Sequence, residues 1–324
     1  MENQFENRLD LSALSARVAE VKQEIEKYVK GQHDLVDLLI IALLADGHVL
    51  IEGVPGVAKT LTSKLLAKTI HAEFKRIQFT PDLMPSDIIG TSVYNTKTNE
   101  FEFKRGPLFA NVVLTDEINR SPAKTQAALF EAMEERQITV DGNTYKLDEP
   151  FFVLATQNPI EQEGTYRLPE AQLDRFLFKI AVDYPALEDE TAMLQQFQNS
   201  THQVDFSKVK TFLSKEVLLS LKQLVSKVVV EENLVKYIVQ LVHASRKNPH
   251  LYLGASPRAS IAILNAAKAS AAINNRDFVT PDDIKYVAVP VLRHRVALTP
   301  EKEMEGISPD TIIRQMLEKV EVPR

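Results

Sequence analysis

The sequence contains no cysteine among its 324 residues, and this absence excludes disulfide bonds and thiolate metal sites. It has no apolar run near the roughly 18 residues of a membrane-spanning helix, and its first residues lack the apolar core of a signal peptide. Acidic residues outnumber basic ones, 44 to 38, which argues against general nucleic-acid binding because that binding relies on clustered Lys and Arg. The sequence therefore predicts a cytoplasmic protein without a transmembrane segment.

Glycine is also scarce, with ten residues, so one glycine-containing loop stands out. Residues 53–60 read GVPGVAKT, which matches the phosphate-loop pattern G-x-x-x-x-G-K-[ST] except that Ala58 replaces the second glycine. In such a loop the backbone N–H groups face the β-phosphate, Lys59 reaches the β- and γ-phosphates, and the Thr60 hydroxyl binds Mg²⁺. The methyl group of Ala58 is tolerable if that residue already has helical φ and ψ. The alternative is a loop that merely connects a strand to a helix.

Short apolar runs alternate with helical segments around this loop, which is typical of an α/β fold with a parallel sheet buried on both faces. The part before the loop, about residues 9–46, has helical periodicity and ends at Gly47. Five runs predict the strands of the sheet: 48–51, 74–79, 112–115, 151–155 and 178–182.

Two β-hairpins interrupt this alternation, near 93–103 and 138–147, and the second is favoured by an Asp-Gly turn. After Tyr184-Pro185 the strand signals vanish. We therefore predict two domains, an α/β nucleotide-binding domain over residues 1–186 and a small all-helical lid over residues 187–324. The helices predicted for the lid lie at about 186–199, 215–229, 232–247, 257–275 and 281–288.

Polar residues follow two of the predicted strands. Asp116 and Glu117 end the first, where Asp116 would hold Mg²⁺ directly or through water, and Glu117 would polarise the water that attacks the γ-phosphate. Asn158 ends the next, where its amide could orient that water. The alternatives are acidic turn residues at Asp116 and Glu117, and a turn asparagine before proline at Asn158.

Two arginines are candidates for contact with the γ-phosphate. Arg175 precedes the last strand, and its planar guanidinium suits phosphate oxygens contributed to a neighbouring subunit. Its alternative role is a surface pair with Asp174 or Glu170. Arg258 begins a lid helix, where it would contact the nucleotide and sense the lid position, or else carry a charge on the helix surface.

Together these motifs resemble those of an AAA+ ATPase, and their amino-acid sequences are similar to those of the MoxR family. That family commonly has Ala before the lysine of the phosphate loop, which agrees with Ala58. The resemblance covers roughly residues 20–300. The segments that carry it are LTDEINRSP at 114–122, EAMEE at 131–135, ATQNP at 155–159 and LPEAQLDRF at 168–176.

The resemblance implies a role for each matching position. Asp116 and Glu117 become the Walker B acids, Asn158 becomes sensor 1, Arg175 the arginine finger and Arg258 the sensor 2 arginine. Arg167 is a second arginine near the finger, so two candidates for that role remain, and Arg258 is left to act either in its own subunit or in a neighbour. The hairpin near 93–103 corresponds to the helix-2 insert of this clade. The implied nucleotide-binding residues are Gly53, Val54, Pro55, Gly56, Val57, Ala58, Lys59, Thr60 and Leu61, with Gly31 and Gln32 beside the adenine.

The resemblance also implies ATP and Mg²⁺ as cofactors, a homo-oligomeric ring that we expect to be hexameric, and a chaperone-like action on client proteins, often with von Willebrand factor A-domain partners. Three alternatives remain. A metal-chelatase motor subunit shares the clade, and a nucleic-acid motor would need more basic hairpins than these. A scaffold that does not hydrolyse ATP would have no chemical need for both Glu117 and Asn158.

Overall fold

The structure is a computed structural model that describes residues 9–158, 166, 168–198 and 204–323. Two 3₁₀ turns, Pro107–Phe109 and Ile118–Arg120, accompany its helices and strands. The strands are β1 (Val49–Gly53), β2 (Phe74–Gln78), β3 (Gly90–Asn95), β4 (Glu100–Arg105), β5 (Val112–Asp116), β6 (Gln137–Val140), β7 (Asn143–Lys146), β8 (Phe152–Gln157), β9 (Phe178–Val182), β10 (Leu251–Leu253) and β11 (Ala297–Leu298). The α-helices are α1 (Ser12–Glu26), α2 (His33–Leu44), α3 (Lys59–Thr69), α4 (Pro85–Ile89), α5 (Ala123–Glu135), α6 (Glu170–Leu173), α7 (Leu187–Gln198), α8 (Lys215–Ser226), α9 (Glu232–Lys247), α10 (Pro257–Ile273), α11 (Pro281–Leu292), α12 (Pro300–Met304) and α13 (Pro309–Lys319).

The central sheet is the predicted five-stranded parallel sheet, in the order β2-β5-β8-β1-β9. Its inner strands are buried on both faces because they carry continuous apolar residues, such as Val112–Leu114 in β5. In a parallel sheet all carboxyl ends meet at one edge, so the loops after β1, β5 and β8 lie side by side. The predicted fold class is confirmed.

The N-terminal segment is helical, as its periodicity predicts, and it is divided into two helices, α1 and α2. Between α1 and α2 the chain turns at Gly31, whose φ is +71°. A side chain at this position would also collide with the carboxylate of Asp189, since a Cβ would lie 2.8 Å from its Oδ2. The glycine therefore lets the chain turn between the two helices and pass close to the start of α7.

Both predicted hairpins are present, as β3–β4 and β6–β7. The turn of the second has positive φ at Asp141 (51°) and Gly142 (77°), as its sequence favours. The hairpins also contact each other. The rings of Phe103 and Tyr145 stack with centroids 4.5 Å apart, and Ser92 Oγ donates a hydrogen bond to Asp141 Oδ2 at 2.7 Å. They therefore form one continuous projection from the sheet.

The C-terminal part is helical as predicted, with two differences. It has two further helices, α12 and α13, and a short antiparallel ribbon of β10 and β11. A large apolar core joins α8–α11 to the N-terminal helices α1 and α2 and to one face of the sheet. In the described part of the chain, no helix combines the length and apolar character needed to cross a membrane.

Candidate functional site

The loop between β1 and α3 has the backbone of an anion cradle. Gly56 has φ +90°, and a Cβ built on it would have no heavy atom within 4 Å, so the space above the loop is open. Ala58 has φ 59° and ψ 18°. The methyl group of Ala58 was expected to be tolerable if the residue had right-handed helical φ and ψ. That condition is not met, because Ala58 has a left-handed backbone and the helix begins only at Lys59. An alanine in this region costs about 1–2 kcal/mol.

Lys59 lies along the loop. Its Nζ donates a hydrogen bond to the carbonyl oxygen of Gly53 at 2.5 Å. Partial burial lowers the pKa of Lys59, while the negative charges of Asp116, Glu117 and Glu52 oppose that shift. Asp116 and Glu117 at the end of β5 therefore lie near enough to Lys59 for their charges to act on it.

Asp116 is the last residue of β5, and a hydroxyl from the neighbouring strand orients it. Thr156 Oγ1 donates to Asp116 Oδ1 at 3.0 Å and accepts from the backbone N–H of Glu117 at 3.1 Å. Arg76, on β2, places Nε 2.5 Å from Asp116 Oδ2. The carboxylate therefore has a fixed orientation at the carboxyl edge of the sheet.

Glu117 has a left-handed backbone, with φ 57° and ψ 49°. Its carboxylate pairs with Arg120 Nε at 3.0 Å and stays partly exposed. Asn158 directly follows β8, the strand between β5 and β1, and is buried. The fold thus brings the phosphate loop, Asp116, Glu117 and Asn158 to the same edge of the sheet.

A cavity of about 390 Å³ lies between the start of α2 and the end of β9. Its lining comes from residues 31–35 and 181–184, and Gln32 Nε2 donates to the carbonyl oxygen of Asp183 at 3.2 Å. Because Val182 pairs with Gly53 in the sheet, this cavity lies directly beside the start of the loop. Gly31 and Gln32, the residues predicted to lie beside the adenine, both line this cavity.

The oxygen ligands at this edge fit a magnesium ion. The described residues include no group of three or more His, Cys, Asp or Glu side chains that could hold a metal ion. Mg²⁺ at phosphate sites needs no such group, because it takes one or two protein oxygens, phosphate oxygens and waters. Thr60 at the start of α3 and Asp116 at the end of β5 supply one hydroxyl and one carboxylate of this kind.

The two predicted arginines lie elsewhere. Arg175 precedes β9, whose first residue, Phe178, pairs with Val49 at the start of β1. The phosphate loop follows the other end of β1, four residue steps or roughly 13 Å along the strand. Arg175 therefore lies at the amino edge of the sheet, opposite the phosphate loop. Arg167, the other candidate finger, lies outside the described residues.

Arg175 and Arg258 share one carboxylate at this amino edge. Arg175 Nη2 contacts Glu134 Oε2 at 2.8 Å, and its Nη1 donates to the Phe130 carbonyl at 2.9 Å. Arg258 Nη2 contacts Glu134 Oε1 at 3.2 Å. The alternative surface pairing of Arg175 thus involves a glutamate on α5 and not Asp174, which pairs with Arg295. The structure brings the two arginines together, away from the phosphate loop of their own chain.

Sequence reasoning missed four residues that orient these side chains: Arg76, Arg120, Thr156 and Glu134. Strand order would have indicated two of them, because β2 and β8 flank β5 and bring Arg76 and Thr156 beside Asp116. Arg120 is three residues after Glu117, so a prediction of the turn at 118–120 would have indicated their ion pair. Glu134 belongs to the EAMEE segment, but that segment does not indicate its partners, which come from distant parts of the chain.

Comparison with known proteins agrees with this geometry. Residues 48–178 match the "ATPase family associated with various cellular activities (AAA)", and residues 243–316 match the AAA lid domain. The chain is 45% identical over 310 residues to the chaperone MoxR1 of Mycobacterium tuberculosis, which covers 93% of this chain and 81% of that protein.

Two further similarities extend over almost the whole chain. YeaC of Bacillus subtilis is 49% identical over 314 residues, covering 97% of this chain and 96% of that protein. A crystal structure of a candidate ATPase from Cytophaga hutchinsonii has a TM-score of 0.89 and 47% identity, covering 96% of this chain and 97% of that one. The predicted nucleotide binding and ATPase activity are thereby confirmed. This chain belongs to the MoxR family of AAA+ ATPases.

Proposed function

We propose that this ATPase hydrolyses Mg²⁺-ATP at sites that a neighbouring subunit completes, within a ring that we expect to be hexameric. One observation carries the proposal: Arg175 and Arg258 lie together at the amino edge of the sheet, while the phosphate loop, Asp116 and Glu117 lie at the carboxyl edge. A guanidinium at the amino edge cannot reach the γ-phosphate of its own chain. It can reach that of a neighbour packed against this edge.

Within one subunit, the residues at the carboxyl edge bind and activate the reactants. Lys59 contacts the β- and γ-phosphates, and Glu117 polarises the attacking water, which Asn158 orients. When bound by Thr60 and Asp116, Mg²⁺ neutralises charge on the phosphate oxygens. The adenine occupies the cavity at Gly31 and Gln32.

The neighbouring subunit contributes positive charge to the transition state. Arg175 acts as the arginine finger, and Arg258 acts in the same neighbouring site and not in its own. Their proximity supports this assignment, because two guanidiniums that share Glu134 face the same space. Loss of a finger of this kind lowers turnover by about 10³–10⁵.

The output is remodelling or activation of client proteins, with von Willebrand factor A-domain proteins as the expected partners. The action on a protein client is supported by the MoxR1 relative, a chaperone, and by the exposed aromatic residues of the first hairpin, where Phe101 is 74% exposed. The hairpin projection would transmit subunit motion to the client. The domain boundary near residue 186 and the cytoplasmic location remain predictions.

Mixed assemblies test completion of the site by a neighbour. Arg175→Ala subunits keep their phosphate site, and Glu117→Gln subunits keep their arginines, so each alone should be inactive and their mixture should release phosphate. Arg17→Ala, which breaks an exposed pair with Glu20 on α1, is the control for loss of an arginine. If Arg175→Ala alone keeps full turnover, or if the mixture stays inactive while wild type is active, the proposal is wrong.

A further inference from the structure

Arg295, in the segment after α11, is a buried arginine whose hydrogen bonds converge on the residues around Arg175. Its Nε contacts Asp174 Oδ1 at 2.7 Å, and its Nη2 donates to the carbonyl oxygens of Asp174 (3.0 Å) and Phe176 (2.6 Å). Its Nη1 donates to the carbonyl oxygens of Leu177 (3.1 Å) and Val291 (2.6 Å). All five N–H donors of the guanidinium are therefore used, four of them on residues 174–177.

The other oxygen of Asp174 is bound by the lid as well. Ser256, the residue that precedes α10, donates from Oγ to Asp174 Oδ2 at 3.0 Å. Arg258 lies two residues further along the chain. The carboxylate of Asp174 thus connects the backbone beside Arg175 to the backbone beside Arg258, and Arg295 connects both to the end of α11.

The direct contacts of the two arginines are much weaker constraints. Each pairs with Glu134, and the side chain of Arg258 is 56% exposed. Exposed ion pairs contribute about 0–1 kcal/mol and do not fix a long side chain. Buried pairs, in contrast, add little net stability but define geometry when all their hydrogen bonds are made. Arg295, with a side chain 3% exposed, is such a buried group.

We propose that Arg295 and Asp174 are positioning residues for the neighbouring ATP site: they hold Arg175 and Arg258 at a fixed separation and make the lid and the finger segment one rigid body. This inference rests on the proposed function, since it assumes that both arginines act in a neighbour. It means that a movement of the lid in one subunit carries the two guanidiniums toward or away from the ATP of the next.

The test uses the mixture of Arg175→Ala acceptor subunits, which hold the working phosphate site, with Glu117→Gln donor subunits, which hold the working arginines. Asp174→Asn, Ser256→Ala or Arg295→Lys is added to the donor. Because misplacement of a reacting group by about 1 Å costs up to about a hundredfold, we expect kcat of the mixture to fall at least about tenfold with Asp174→Asn or Arg295→Lys, at unchanged KM. Ser256→Ala, which removes one bond, should have a smaller effect in the same direction.

The same substitutions placed in the acceptor provide the decisive comparison. An acceptor without Arg175 has no finger to position, so Asp174→Asn should lower kcat when it is in the donor and not when it is in the acceptor. General damage to the fold would act in either subunit. A second control is Asp310→Asn in the donor, which breaks the lid pair between Arg293 and Asp310 (2.7 Å) away from residues 174–177.

The outcomes separate the two proposals. If the donor without a second substitution fails to activate the acceptor, the proposed function is wrong. If that donor activates it, and donors with Asp174→Asn or Ser256→Ala activate it as well as the Asp310→Asn control, the positioning role is overturned while the proposed function stands. The asparagine and alanine variants decide the question whether or not Arg295→Lys folds.

Discussion

Arg175 and Arg258 contact different oxygens of one carboxylate, that of Glu134, although they belong to the sheet domain and to the lid helix α10. Two guanidiniums on one glutamate leave a surplus positive charge at the amino edge of the sheet. A surface with this charge fits a phosphate brought by another subunit.

Replacement of the shared carboxylate tests whether it orients the arginines. We expect Glu134→Gln to lower turnover in the assembled protein, but by less than Asp174→Asn does, because both guanidiniums lose a charged partner while the buried bonds of Arg295 still hold the segments that carry them. The free energy of unfolding should change by less than about 1 kcal/mol, since the pairs are partly exposed. Steady-state phosphate release and urea unfolding measure the two effects. Glu131→Gln, an exposed glutamate earlier on α5, is the control, and equal turnover for both variants would contradict the prediction.

Thr156 should matter for turnover through its hydroxyl. Thr156→Val keeps the shape but removes the donor to Asp116 and the acceptor for the Glu117 N–H. We expect a loss of about 1–3 kcal/mol of stability from the unsatisfied polar groups. Turnover should fall about tenfold to a hundredfold as the two acidic residues lose their orientation. Thr156→Ser restores the hydroxyl and should recover most of the activity; a serine variant as impaired as the valine variant would exclude this role.

The left-handed backbone at Ala58 predicts which residues the loop accepts. Glycine adopts φ 59° without strain, so Ala58→Gly should bind ATP about as tightly as wild type. A β-branched residue is strained there, and about 1.4 kcal/mol of extra strain corresponds to a tenfold loss of affinity. We therefore expect Ala58→Val to bind ATP at least about tenfold more weakly in equilibrium titrations. Equal affinity of the two variants would show that the loop rearranges around this position.

Two buried histidines make stability depend on pH. Burial lowers the pKa of His48 to about 3 and lowers the pKa of His294 well below its ordinary value of 6.5. Below pH 6.5 the unfolded chain therefore binds protons that the folded chain does not, and stability falls as the pH decreases. Each histidine should contribute about 1.4 kcal/mol per pH unit below that value.

Urea unfolding between pH 7.5 and 5.5 measures this slope. His48→Gln can still accept a hydrogen bond from Val153 N–H. It should reduce the slope of the unfolding free energy against pH by an amount that corresponds to about one bound proton, even if it lowers stability overall. A slope unchanged by both His48→Gln and His294→Gln would mean that other groups cause the pH dependence.

Local patterns were sufficient to predict the sheet, the hairpins and the phosphate site. Short continuous apolar runs such as those in β5 and β8 are typical of strands buried on both faces of a sheet, and the Asp141-Gly142 turn favours its hairpin. Because β5 and β8 are parallel neighbours, their carboxyl ends meet at the same edge of the sheet. For this reason Asp116 and Asn158 could be assigned to one edge before the structure was known.

Contacts between distant segments could not be predicted in the same way. The pairing of Arg258 with Glu134 depends on how the lid packs against α5. The periodicity of apolar residues shows which face of a helix is buried but not which other helix that face contacts. The break between α1 and α2 was not evident from the helical patterns on both sides, and the close approach of Asp189 to Gly31 involves a distant part of the chain. The left-handed backbone at Ala58 could not be predicted either, because alanine has no local preference for that conformation.

The position of the phosphate loop and Arg175 at opposite edges of one sheet gives each subunit two unlike ends. Under the proposed arrangement, contact between subunits is heterologous, so a two-fold symmetric pair that uses only one edge of each subunit cannot complete either site. An open string of subunits always keeps one site without arginines and one pair of arginines without a site. Only a closed assembly gives every bound ATP its full set of charges, so closure itself makes the last site active.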